Sequence, residues 1–375
     1  MSSYWLEETH PQRSRRPIAG HVDVAIVGGG VTGCACAHVL AGAGLGVRLH
    51  EAREITSGAS GRNGGFALWG GALPYDAARG QVGHGAARAW WQLTEGYVER
   101  MAELAGDAFR RTGSLRLAAD SVERKLLEAE YDALREDGFD VEWRDELPKP
   151  LAGRYHGAVF HPPDGSIQPA RWVRRLAARA ADAGADLREH DRVESLDDLD
   201  ADHVVVATDG YTQGLVPELD AVVAPTRGQV VVTEPLGRRL FPCPHYARYG
   251  YDYWQQTPDN RLVAGGSRDK TPDEEQSAEE VTTELIQGHL ERIVRELTGG
   301  SPRITHRWAG IFGMTEDCIP LVGSVPGTEG VWVACGYSGH GNVMGLMCGE
   351  LVARAILGSP DPILDLFEPA RLLGS

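Results

Sequence analysis

Lysine is nearly absent. Of 37 basic residues only Lys125, Lys149 and Lys270 are lysines, so a Schiff-base lysine is not expected. Basic charge is short overall, because 53 acidic residues leave a net charge of −16. Nucleic acid needs a basic footprint and is excluded as a partner, as is an anionic membrane surface. Cysteine is thinly spread: Cys34, Cys36, Cys243, Cys318, Cys335 and Cys348 form no CxxC pair and no cluster with zinc-ligand spacing. Cys34 and Cys36 lie two apart on an expected helix and face different ways, so they cannot easily share a metal. The expectation is reduced, buried cysteines in a cytoplasmic protein. Residues 1–20 are polar, hold Arg13, Arg15 and Arg16, and lack the apolar core of a secretory signal. A clean membrane-spanning run is missing too: residues 24–47 are the one long apolar stretch, and glycines interrupt it.

Those glycines form the strongest pattern in the chain. The run Asp23-Val24-Ala25-Ile26-Val27 reads as a buried parallel strand. It enters GxGxxG at Gly28, Gly30 and Gly33, then an expected helix over 34–43 that Gly44 and Gly46 end. A second strand over 47–50 finishes on Glu51, 23 residues beyond Gly28, near the ~20 expected for a ribose-binding carboxylate. Gly28 permits the tight turn, Gly30 lets the backbone approach a pyrophosphate, and Gly33 lets helix and strand touch. The helix N-terminus offers free N–H groups and a positive dipole end to the phosphates. Strand, helix, strand and terminal acid in register point to a dinucleotide. A glycine-rich turn of an unrelated α/β protein is the alternative.

The fingerprint alone does not separate FAD from NAD. The segment Thr56-Ser57-Gly58-Ala59-Ser60-Gly61-Arg62-Asn63-Gly64-Gly65 follows the second strand directly. Small residues and amide donors there suit a loop around the middle of an extended dinucleotide, which favours FAD. A plain surface loop is the other reading.

With the leader Tyr4-Trp5-Leu6-Glu7-Glu8-Thr9, this block resembles the amine- and amino-acid-oxidising flavoproteins of the D-amino-acid oxidase superfamily. Within it the chain is most similar to the branch holding gamma-glutamylputrescine oxidase, glycine oxidase and sarcosine oxidase. Arg307-Trp308-Ala309-Gly310, Asp317 with Pro320, and Gly336-Tyr337-Ser338-Gly339-His340-Gly341 continue the match over nearly the whole chain. The resemblance implies a Rossmann-type α/β FAD-binding domain and a second α+β substrate domain on an antiparallel or mixed sheet. Residues 18–75, 165–225 and 305–375 are expected in the first, 76–164 and 226–304 in the second. It implies non-covalent FAD held by Gly28, Gly30, Val31, Thr32, Gly33, Glu51, Ala52 and Arg53, then by Ser60, Arg62, Asn63, Gly64 and Gly65. Further contacts are implied at Val193, Thr208, Gly310, Gly339, His340, Gly341, Asn342 and Val343.

Helices are expected over 86–105, 121–136 and 169–184, from apolar spacing and Pro169 near a start. Residues 204–208 read as a buried strand. The chain is short between Val193 and His203, where relatives insert a hairpin over the adenine. Residues 225–232, 251–254 and 261–266 read as strands covering a substrate cavity. Tyr253 and Trp254 face opposite ways on a strand, and the resemblance favours Tyr253 for the cavity, with core packing as the alternative. A strand over 331–335 and a helix over 343–357 would aim a second helix N-terminus at the flavin N1–C2=O locus, stabilising the reduced anion. His340 would touch substrate or flavin; a structural histidine is the alternative. Tyr253 and His340 are the catalytic candidates.

The implied chemistry removes hydride equivalents from a C–H bond beside an amine and leaves an imine that water hydrolyses. Dioxygen is the expected acceptor, giving hydrogen peroxide. No strong general base is needed if the amine binds neutral. Three departures bear on substrate and acceptor. Gly310 stands where sarcosine oxidases carry a flavin-linking cysteine. Val343 stands where they place a carboxylate-binding lysine. Val263 falls near their oxygen-activating lysine, with Lys270 a few residues on. The net −16 would mildly steer a cationic substrate. Three readings remain: an amine or amino-acid oxidase, a dehydrogenase of an amine or hydroxy acid that passes electrons to a quinone or protein, and a non-catalytic flavin-binding protein.

Overall fold

The computed structural model describes residues 2–9 and 17–373, so Arg13, Arg15 and Arg16 lie outside the described residues. Val24, Ile26, Val47 and Leu49 are fully buried, as β-branched and aliphatic residues on a covered parallel sheet should be. The sheet has six strands in the order Leu321–Ser324, Val331–Cys335, Ala201–Val206, Val22–Val27, Val47–His50 and Asp186–Arg188. All neighbours are parallel except Leu321–Ser324, which runs against Val331–Cys335. One face lies under the helices Val31–Gly42, Pro169–Asp182 and Gly341–Ile356. The other is covered by Val216, Leu219 and Val223.

The helices begin earlier than their apolar patterns suggested. Gly30 is the N-cap of Val31–Gly42, and His340 the N-cap of Gly341–Ile356. Apolar periodicity marks the buried stripe, whereas the first turn is set by backbone amides facing a cavity. The two helices cross in contact, because a Cβ at Gly349 would meet the Thr32 carbonyl oxygen at 2.4 Å. Between Val193 and His203 there is a single 3-10 turn, Leu196–Asp198, and no hairpin.

The second sheet is mixed. Its order is Ile304–Met314, Ala224–Pro235, Arg261–Gly266, Asp252–Gln256, His245–Ala247, Ser114–Leu117, Ala158–His161 and Glu142–Arg144. Pairing is antiparallel except between His245–Ala247 and Ser114–Leu117. Ile286, Leu290, Val294 and Leu297 on the helix Glu284–Thr298 bury one face with Trp254, Leu262 and Ala264. The other face carries Gly265, Tyr253, Tyr246 and Arg116 in one register row. Ile304–Met314 differs from the expected division at 305. It pairs with Ala224–Pro235 from Met314 opposite Ala224 to Ile304 opposite Thr233, so it belongs to this second sheet. The chain returns to the Rossmann sheet only at Leu321–Ser324. No helix among the described residues is long and apolar enough to cross a membrane.

Candidate active site

A cavity of about 750 Å³ opens at the carboxyl edge of the Rossmann strands and runs beneath the second sheet. Its cofactor end is shaped by the absence of side chains. Gly28 has φ +110°, donates its N–H to the His50 carbonyl at 2.8 Å, and leaves no room for a Cβ, which would lie 2.6 Å from the Ala207 carbonyl oxygen. A Cβ on Gly30 would sit 2.9 Å from Ser60 Oγ, which accepts the Val31 N–H at 2.9 Å. Glu51 accepts the N–H groups of Gly29 and Arg53, both at 2.8 Å. Each carboxylate oxygen keeps a lone pair free for a ribose hydroxyl. Ala52, Arg53, Val193 and Thr208 line the same end. The first residues of two helices also line it: Val31 and Thr32 on one, Gly341, Asn342 and Val343 on the other. Two helix N-termini and a free acid suit a pyrophosphate and ribose.

The two glycine-rich loops are clasped together. Asn63 Nδ2 donates to Asn342 Oδ1 at 3.1 Å and to the carbonyls of Ala59 and Ser60, while Asn342 Nδ2 donates to Asn63 Oδ1 and the Phe66 carbonyl. Their amides are thus engaged in holding the loops. The Thr32 and Tyr337 hydroxyls pair at 2.8 Å and tie the helix starts in the same way. Arg62 Nε donates to the Ser57 carbonyl at 2.7 Å, and its own carbonyl accepts from Trp308 Nε1 at 2.8 Å. That fixes Arg62 against Gly310, where a Cβ would come within 2.9 Å of Arg62 Cβ.

Gly33 and Gly65 are the two cofactor candidates that do not line the cavity. A Cβ on Gly33 would fall 2.0 Å from the Gly28 carbonyl oxygen, so it brings helix and turn together. Gly65, at φ +77°, lies beneath Gln255, whose Nε2 donates to the Gly64 and Gly65 carbonyls. Both shape the wall from behind it.

At the other end Tyr253 lies in a slot between two glycines, with Cβ positions of Gly64 and Gly265 at 2.9 and 2.4 Å from its ring. It meets Phe66 edge-on at 5.8 Å and lines the cavity, while Trp254 is buried on the opposite face against His245. Burial pushes the Tyr253 phenol up to about 12, so it stays protonated at neutral pH. Burial, with Arg116 and Arg268 nearby, lowers His340 to about 4, so its imidazole is neutral. Farther along the floor, Arg116 is ion-paired with Glu130, and Asp164 accepts from the Trp69 N–H and Ser114 hydroxyl. Burial raises Asp164 to about 7.

A strap from the second unit crosses the cofactor end. Its ends are pinned to Ala224–Pro235: Glu275 takes Arg227 and Gln229 Nε2, and the Thr283 N–H donates to Gln229 Oε1 at 3.0 Å. Between them Glu280 accepts from both terminal nitrogens of Arg53 at 2.9 Å, pairs with Arg62 at 3.2 Å, and takes the Tyr211 hydroxyl. Burial opposes ionisation of Glu280, yet the bonds from Arg53 and Tyr211 outweigh it and hold the carboxyl below its ordinary value.

Glu280, Tyr211, Arg268 and Phe312 on the cavity wall were not singled out in the sequence. In a chain so rich in Arg and Glu, a single charged residue in a loop carries no periodic signal. Asp209 was not singled out either: at φ +49° it follows the strand Ala201–Val206, and its carboxylate takes the Gly313 and Gly336 N–H groups at 2.9 Å. Val263 is buried away from the cavity, and Lys270 pairs with Asp269 at 3.1 Å outside it. Val343 does line it.

Comparison with known proteins agrees with this geometry. The family model for FAD dependent oxidoreductase, DAO, matches residues 23–355. The chain is 30% identical over 400 residues to the probable oxidoreductase OrdL of Rhizobium meliloti, covering 98% of this chain and 91% of that one. It is 30% identical over 376 residues to the gamma-glutamylputrescine oxidoreductase of Escherichia coli, covering 90% and 84%. In three dimensions it is similar to glycine oxidase from Geobacillus kaustophilus, with a TM-score of 0.78 at 25% identity over 95% of this chain and 100% of that one. The chain therefore belongs to the DAO family of FAD-dependent oxidoreductases.

Proposed function

We propose that the protein oxidises a C–N bond of an amine or amino acid to an imine, with dioxygen as the acceptor. The observation that carries this is one continuous cavity joining the FAD cradle to an enclosed space walled by neutral Tyr253 and His340. FAD, when bound, supplies the two-electron acceptor that no side chain provides. The residues do the rest. Val31, Thr32, Gly341 and Asn342 present helix N-termini, and Glu51 holds ribose hydroxyls. The N-terminus of Gly341–Ile356 supplies a fixed positive dipole end while His340 stays uncharged. Tyr253 donates one hydroxyl hydrogen bond from a rigid slot and orients the substrate without taking its proton. The crowding of Gly310 against Arg62 supports non-covalent attachment, since a cysteine side chain has no room there.

In this reading residues 18–75, 165–225 and 315–375 hold the cofactor, and 76–164 with 226–314 shape the substrate space. The test is an absorbance spectrum of the purified protein during anaerobic titration with amines and amino acids. Bleaching by a substrate, then recovery with peroxide in air, is the expected result. A specific observation favours a second reading, a dehydrogenase passing electrons to a quinone or protein. No lysine lines the cavity among the described residues. Bleaching without recovery in air would decide for it.

A further inference from the structure

The 3-10 turn Tyr4–Glu7 is wedged between the two units. On one side Gln168, the N-cap of Pro169–Asp182, donates to the Trp5 carbonyl at 3.1 Å, and Arg171 of the same helix meets both oxygens of Glu8 at 2.7 Å. On the other side His306 of Ile304–Met314 meets Glu7 at 2.9 Å. Trp5 is 3% exposed and packs with Ala170 of the helix and with Val230, Val232, Val263 and Trp308 of the second sheet.

A buried indole needs an acceptor for its N–H, and Trp5 Nε1 donates to the Asn63 carbonyl at 2.8 Å. The neighbouring carbonyls are held in the same way. Trp308 Nε1 donates to Arg62 at 2.8 Å, and Gln255 Nε2 donates to Gly64 and Gly65 at 2.6 and 2.7 Å. Trp5, Trp308 and Gln255 stand behind the loop, since none of them lines the cavity, whereas Arg62, Asn63 and Gly64 do. The peptide units here are trans, so each C=O points opposite to the N–H of the next residue. Drawing the Arg62 carbonyl back turns the Asn63 N–H forward, and drawing the Asn63 carbonyl back does the same for Gly64. The Gly65 N–H is taken by Asn63 Oδ1 at 2.8 Å, but the N–H groups of Asn63 and Gly64 have no partner among the described residues. Successive unpaired N–H groups of this kind form a concavity for an acceptor oxygen.

We infer that Trp5 is a positioning residue for the cofactor: held behind the loop, it aims the Gly64 N–H into the cavity beside that of Asn63, and the two donate to an acceptor oxygen of bound FAD. Trp308 does the same for Asn63. The leader therefore acts on the site without lining it. The inference rests on FAD as the cofactor and is independent of which substrate is oxidised.

The test uses the FAD-loaded protein and two readouts: FAD affinity from flavin fluorescence on dilution, and amide hydrogen exchange at residues 63 and 64. Trp5→Phe keeps an aromatic ring and removes the donor. Leu290→Ala, on the far face of the second sheet, is the control for lost packing. Trp5→Phe should raise the FAD dissociation constant by about tenfold, because the buried Asn63 carbonyl loses its partner and the loop is free to turn. Leu290→Ala should lower Tm at least as much and leave FAD affinity within about twofold. FAD should slow exchange at Asn63 and Gly64 in the unaltered protein, and at Gly64 that protection should be lost in Trp5→Phe. FAD affinity within about twofold of wild type in Trp5→Phe, an equal loss of affinity in Leu290→Ala, or no protection of residues 63 and 64 by FAD overturns the inference. Should Trp5→Phe not fold, exchange in the unaltered protein decides alone, and protection confined to other residues of the loop counts against the inference.

Discussion

At Gly28 a methyl group has nowhere to go. The residue combines φ +110° with a Cβ position 2.6 Å from the Ala207 carbonyl oxygen. Gly28→Ala should cost on the order of 1–3 kcal/mol in strain and push the turn into the pyrophosphate space. The expected outcome is a folded protein with a reduced flavin-to-protein absorbance ratio; full flavin content would show that the turn can relax. Tyr253 and His340 make a second prediction at this scale. With the phenol up at about 12 and the imidazole down at about 4, neither titrates near neutral pH. A rise in kcat/KM between about pH 6 and 9 then belongs to the substrate amine, whose neutral form is the reductant, or to Asp164 on the cavity floor, and not to Tyr253 or His340. Tyr253→Phe should lower the rate and leave the position of that rise unchanged; a shift of the rise would make Tyr253 a proton acceptor after all. Residue identities in the glycine motifs were legible because only glycine meets these contacts. Arg268 and Glu280 were not, since their roles depend on which rings and guanidinium groups the fold brings beside them.

Among elements, the strap is the piece that no pattern announced. Residues 276–282 have no regular periodicity, yet both ends are fixed through Gln229 and Glu275, and Glu280 closes over Arg53, Arg62 and Tyr211. A flavin held without a covalent bond gains from such a latch. Glu280→Ala should raise the FAD dissociation constant by about tenfold, after allowing for solvent screening of the half-exposed Arg53. The measurement is recovery of flavin fluorescence on dilution; a release rate equal to wild type would show that the strap does not retain the cofactor. The helices and strands themselves were largely readable from apolar spacing. Ile304–Met314 was not, because an eleven-residue strand with glycines at 310 and 313 looks the same whichever sheet receives it.

Over the whole molecule, buried neutral histidines set an acid limit. Burial lowers His161 and His245 to about 3, and His340 to about 4. In the unfolded chain they would titrate near about 6.5. As pH falls from about 6.5 to about 4, the unfolded state takes up protons that the folded state refuses, so stability is lost. Asp164 acts in the opposite sense. Its folded value of about 7 lies above the unfolded one, so its contribution is full at low pH and is lost as pH rises through about 7. Burial also lowers His38, His50 and His289, and raises Glu95, Glu130 and Asp209 as it does Asp164, so six histidines against four carboxyls should make Tm fall on acidification across that window, and Asp164→Asn should steepen the fall. A flat Tm profile, or a shallower one in the variant, would contradict this balance.

The sequence by itself determined the FAD-binding fold, the strand, glycine turn and helix around Gly28, Gly30 and Gly33, and the second strand that runs into Glu51. Local sterics and periodicity act over a few residues and leave a readable trace there. The tertiary structure decided which charges are spent and which remain. Asn63 and Asn342 clasp each other across 279 positions, Glu280 reaches Arg53 across 227, and Arg268 is left with two aromatic rings and no acid among the described residues. Pairing over such separations is set by sheet order and loop path, and no local stretch of residues encodes it.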